Sequence, residues 1–94
     1  MEDNKKDFVP PVPDFKFFIS TLSLQASIFL GQIPNPATHE SGEDLPQAKF
    51  IIDTLGMLQE KTKGNLKEDE AALLENLLYE LRTFYLAKSK GEVK

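Results

Sequence analysis

Residues 14–30 read DFKFFISTLSLQASIFL, and the spacing of their apolar side chains decides the fold. Asp14 is a helix-capping residue type, whose carboxylate accepts from the free backbone N–H groups of Lys16 and Phe17. Gly31 supplies the left-handed turn that closes a helix. Phe15, Phe18, Ile19, Leu22, Ala26, Phe29 and Leu30 recur with helical period along one face, while Phe17, Leu24 and Ile28 fall on the other. A helix apolar nearly all round is normally buried nearly all round. One small bundle cannot cover both faces, so the second face needs a mate.

Downstream, GQIPNPATHESGED reads as loop, because Pro34 and Pro36 block helix while Asn35, Ser41 and Gly42 form turns. Its length is unusual for a compact domain and marks it as functional or mobile. A second helix opens at Asp44, with Pro46 in its first turn and Gln47 at the capping-box position. Leu45, Ala48, Ile51, Ile52, Leu55 and Leu58 give the helical period, with Phe50 and Met57 off the stripe. Gly64 ends this helix. A third begins near Lys67 and carries Leu73, Leu74, Leu77, Leu78, Leu81, Phe84 and Tyr85 on one face. The helices are expected at about 14–31, 44–64 and 67–88. Upstream, Pro10, Pro11 and Pro13 forbid helix and predict a flexible tail over 1–13; residues 89–94 should fray.

Composition bounds the function. Apolar residues are 40% and charged residues 28% of the 94, an ordinary globular balance for a single domain. The net charge of -4 argues against nucleic-acid binding, which concentrates Lys and Arg on one face. Five acidic residues and no basic one lie between Glu68 and Glu80, whereas Arg82, Lys88, Lys90 and Lys94 follow. That order suits the dipole of the third helix. Cysteine is absent, which removes disulfides, thiolate nucleophiles and cysteine-held metals, and fits a reducing cytoplasm. The charged, proline-bearing first residues are not those of a secretion signal. The uncharged run from Phe17 to Ala37 has a helical part of about 16 residues, roughly 24 Å, which is short of a bilayer core. No membrane span is expected.

Three segments in order, FKFFISTLSLQASIFLGQIPNP, DLPQAKFIIDTLGMLQEKTKGNL and EDEAALLENLLYELRTFYL, resemble a small bacterial family known as domain of unknown function 1844. The resemblance covers roughly Asp14 to Leu86 and is most specific around KTKGNL. It implies a helical module with no assigned activity, cofactor or catalytic residue. The family often has Gly where this chain has His39, and Thr or Ser where it has Lys67, which implies a weaker cap on the third helix, shifted onto Asn65. A role resting on His39 would therefore not be a family function.

Candidate chemistry is sparse. His39 with Glu40, Glu43 and Asp44 lacks the spacing of a preorganised metal site, and it reads as a solvated loop. Ser20, Ser23 and Ser27 share a side of the first helix, but no base accompanies them. They read as a small-residue seam for close packing, with Gly56 of the second helix as the surface expected to meet it. Lys61, Lys63 and Gly64 sit at a helix C-terminus, the wrong dipole end for an anion. Tyr79, Phe84 and Tyr85 read as packing residues, since no basic surface surrounds them for base stacking.

The expected architecture is an all-α antiparallel three-helix bundle, completed by homodimerisation through Phe17, Leu24, Ile28, Phe50 and Met57. The expected role is a non-enzymatic, cytoplasmic homo-oligomeric scaffold or adaptor without a cofactor. Ile33, Pro34, Asn35 and Pro36 form its candidate contact loop for a protein partner. The alternative is a helical module for a small apolar ligand or a lipid.

Overall fold

The computed structural model describes Pro10, residues 12–39 and residues 42–90. Most of the expected tail, loop residues Glu40 and Ser41, and positions 91–94 of the expected frayed end lie outside the described residues. The described residues form three helices and no strand: α1 (Phe15–Phe29), α2 (Leu45–Lys61) and α3 (Glu68–Ser89). Each packs against both others. Lys16 at the start of α1 pairs with Asp69 at the start of α3 at 2.7 Å. Glu43, just before α2, pairs with Lys88 at the end of α3, also at 2.7 Å. α1 and α3 therefore run the same way, and α2 runs back between them.

Local chemistry sets the ends. The Asp14 carboxylate accepts from the Phe17 N–H at 2.8 Å. Asp44 repeats the device on α2, accepting from the Gln47 N–H and from its side-chain amide at 3.2 Å each. Left-handed Gly31 (φ 81°) and Gly64 (φ 84°) follow α1 and α2. Both helices finish before these glycines, at Phe29 and Lys61, so they are shorter than the expected 14–31 and 44–64. The third start differs from expectation. Its N-cap is Lys67, not Asn65, and Lys67 offers no acceptor. Instead the Glu70 carboxylate reaches back to accept the Lys67 N–H at 2.9 Å, the reverse half of a capping box.

Ile19, Ala26 and Leu30 meet Ala48, Ile51, Ile52 and Leu55 of α2 and Leu74, Leu78 and Leu81 of α3 in one buried cluster. No polar or charged residue is buried among those described. Phe18, placed by its spacing on the core face of α1, lies half exposed at its margin. Gly56 likewise departs from expectation. A Cβ built on it would come within 3.0 Å of the Arg82 guanidinium of α3, with no serine of α1 within 4 Å. The residue opposite Gly56 is thus a long, flexible side chain, which can yield to a methyl group. Gly56→Ala is expected to stabilise the fold by about 0.5–1 kcal/mol through helix propensity, as read by urea unfolding; a loss would mean that Arg82 cannot move.

The Lys16–Asp69 pair ties α1 to α3 at the surface. Its hydrogen bond and charge hold Asp69 below the usual carboxylate range and raise Lys16 above the usual amine range. Its small contribution is therefore present between the two titrations. It is lost as pH falls through the depressed Asp69 pKa, or rises through the raised Lys16 pKa. Asp69→Asn should lie slightly below the parent in thermal stability at neutral pH and converge with it in acid; a gap that widened on acidification would contradict this assignment.

Candidate functional site

α1 carries two apolar seams. Phe15, Ile19, Leu22, Ala26 and Phe29 recur at alternating steps of four and three and face the bundle. Phe17, Thr21, Leu24 and Ile28 repeat the same steps about half a turn away. That alternation is the spacing of a helix-to-helix seam. Phe17 is 57% exposed and Leu24 49% exposed, though both are large and apolar. Ile28 is half-buried, because residues of the α1–α2 loop come over it. Ile28, Phe29, Asn35, Thr38, Gly42, Glu43 and Asp44 line a cleft of about 220 Å³ there. At the other end of α1, Pro13, Asp14, Phe15, Phe17, Phe18 and Thr21 line an open, largely apolar cleft of about 530 Å³.

Phe50 and Met57 stand on the outer side of α2, 71% and 47% exposed. The structure places them with Phe17 and Leu24 outside the core, on two adjoining helices. Thr54, between Phe50 and Met57 on the same face, turns its hydroxyl inward to the Phe50 carbonyl at 2.8 Å. This polar side chain therefore satisfies its donor within its own helix.

The loop is held at both ends. The Asp44 N–H donates to the Phe29 carbonyl at 2.8 Å. Glu43 lies against the Cα of Gly31, where a Cβ would come within 3.0 Å of its side chain. In between, the Asn35 side chain accepts from the Ala37 N–H at 2.8 Å, and its carbonyl accepts from Thr38 and His39 at 3.2 and 2.6 Å. Asn35 thereby organises a turn that leaves Ile33, Pro34 and Pro36 exposed. His39 sits in a left-handed conformation (φ 61°) and is exposed. Glu43 is engaged by Lys88 and Asp44 by the start of α2. Among the described residues no group of three or more His, Asp or Glu is placed to hold a metal ion.

The sequence profile of the family described as domain of unknown function (DUF1844) matches residues 12–87, which take in α1, α2, both connections and all but the last two residues of α3. The chain belongs to that family. No curated protein and no solved structure shows a match. The DUF1844 assignment agrees with the likeness carried by the three quoted segments, and it attaches no activity to any side chain.

One surface of this DUF1844 chain escapes a reading of apolar periodicity. On α3, Glu75, Tyr79, Arg82 and Leu86 stand in an exposed row beside α2, and Arg82 lies over Gly56. The signal available in the sequence was the recurrence of these residues at steps of four, three and four, with opposite charges at Glu75 and Arg82. Among the described residues, no helix of this DUF1844 chain is long and apolar enough to cross a membrane.

Proposed function

We propose that the chain is a non-enzymatic homo-oligomeric scaffold or adaptor, joined to a second copy through the outward seam of α1. The observation that supports this most is the repeat of Phe17, Thr21, Leu24 and Ile28, a second helix-packing seam on a helix whose first seam already fills the core. Phe50 and Met57 add exposed apolar side chains on α2. Two-fold pairing is the commonest way to close such a face, since each copy supplies what the other lacks. The turn built on Asn35 then presents Ile33, Pro34 and Pro36 to a further protein.

The open cleft around Phe15, Phe17 and Phe18 favours a second reading, binding of a small apolar ligand. Native mass spectrometry of the purified chain separates the two. The scaffold reading expects dimers or multiples of them at the bare subunit mass. A monomer would overturn it, and a fixed added mass below about 1 kDa would favour the ligand.

A further inference from the structure

We propose that the exposed row Glu75–Tyr79–Arg82–Leu86 on α3 pairs antiparallel with the same row of a second copy, about a two-fold axis beside Tyr79. This is a contact separate from the α1 seam, and it is keyed by charge. Glu75 and Arg82 lie seven positions apart, about 10 Å along the helix. The midpoint between them falls next to Tyr79, the most exposed aromatic side chain of α3 at 72%. Turning the helix over about that midpoint sets Glu75 of each copy against Arg82 of the other. The Tyr79 rings then meet near the axis, and Ala71, small and exposed, faces Leu86 of the second copy.

Three observations point to a second copy as the occupant. The ion pairs among the described residues are Lys16–Asp69, Lys49–Asp53 and Lys88–Glu43, and neither Glu75 nor Arg82 takes part in one. A row carrying one acid and one base is answered in full by its own sequence reversed, which is the definition of an isologous surface. Finally, Arg82 lies over Gly56 of α2, whose missing side chain leaves room for its guanidinium. Clefts of about 430 Å³ and 260 Å³ open on its two sides, the first bordered by Gln59 and Tyr79 and the second by Ile52 and Tyr85. The first is a recess into which Tyr79 of the second copy can set, and the second lies toward its Glu75.

With both contacts present, each chain has two self-complementary faces, and assembly proceeds past the dimer. The test is sedimentation velocity over a concentration series on the full chain. Leu24→Glu is used as the background, so that the α1 seam is disabled. That background should still form dimers. Adding Glu75→Arg or Arg82→Glu turns two attractions into two repulsions and should weaken the dimer about ten-fold or more at low salt. Mixing the two single variants should restore a dimer containing one of each, and combining both changes in one chain should restore it as well. Far-UV circular dichroism confirms the fold, and Arg82→Gln provides a milder form of the same loss. Association unchanged by either single variant, or singles that stay apart when mixed, would overturn the pairing. So would a background that is monomeric throughout. Failure of the α1 reading shows differently, as a Leu24→Glu chain that assembles just as the parent does.

Discussion

Leu55→Ala is expected to destabilise the fold by about 3 kcal/mol, within the 2–5 kcal/mol typical of a buried leucine truncated to alanine. Leu55 is fully buried at the middle of α2, the helix that runs back between the other two. Its removal costs the transfer free energy of the lost carbons and leaves a void that neighbours on two helices cannot both collapse into. The chain has little to spare, since a domain of this size holds roughly 5–15 kcal/mol in total. At about 4–8 °C per kcal/mol, the midpoint of thermal unfolding should fall by about 12–24 °C. Phe50→Ala, on the same helix but 71% exposed, should change the stability of dilute protein by no more than about 0.5 kcal/mol. Equal effects from the two variants would mean that the helix is rotated from the orientation described.

Features governed by neighbours in the chain were legible in the sequence. Asp14 and Asp44 cap their helices, and Gly31 and Gly64 supply left-handed turns, because a side-chain oxygen or a missing Cβ acts within a few residues of itself. The core stripes of α1 and α2 follow from the helical period for the same reason. Contacts between distant positions were not legible. Gly56 meets Arg82 rather than the serine side of α1, and nothing in either local sequence specifies that pairing. The clamp between Glu43 and Lys88 spans 45 positions, and a loop rich in proline and glycine gives no hint that its end is tied down. Lys67 shows a third kind of miss. Its own side chain carries no acceptor for the cap, and Glu70, three residues on, satisfies the same backbone from the other direction.

The candidate surface divides in the same way. The outward placement of Phe17, Leu24, Phe50 and Met57 follows from counting around a helix, so periodicity alone reaches it. Ile28 shares their spacing yet is half-covered, because cover by a loop depends on where that loop is pinned. The stable part of the outward seam therefore lies toward the start of α1, around Phe17 and Leu24. The row on α3 was hidden for a different reason. Its two charges make it read as solvated surface, and only their symmetric disposition about Tyr79 sets it apart.

Leu24→Glu should abolish the α1-mediated contact while leaving the single chain intact. Leu24 is half exposed and lies outside the core cluster, so exchanging it within one chain should cost no more than about 0.5 kcal/mol. In the assembled state the same change is repeated by symmetry. Two carboxylates would be carried into an apolar seam beside Phe17 and Ile28, and the one basic residue of α1, Lys16, is already paired with Asp69. Burying an unpaired charge costs several kcal/mol, so the contact should weaken by at least about a hundred-fold, equivalent to about 3 kcal/mol. Linkage gives an independent readout, because binding between folded chains raises the unfolding midpoint as concentration rises. The parent should show that dependence strongly. Leu24→Glu should show only the weaker dependence left by the α3 row, and Leu24→Met, which keeps an apolar side chain of similar volume, should behave as the parent. A Leu24→Glu chain with the parent's full concentration dependence would place the principal contact elsewhere. Strong unfolding of that variant at every concentration would instead show that Leu24 belongs to the core, which its exposure argues against.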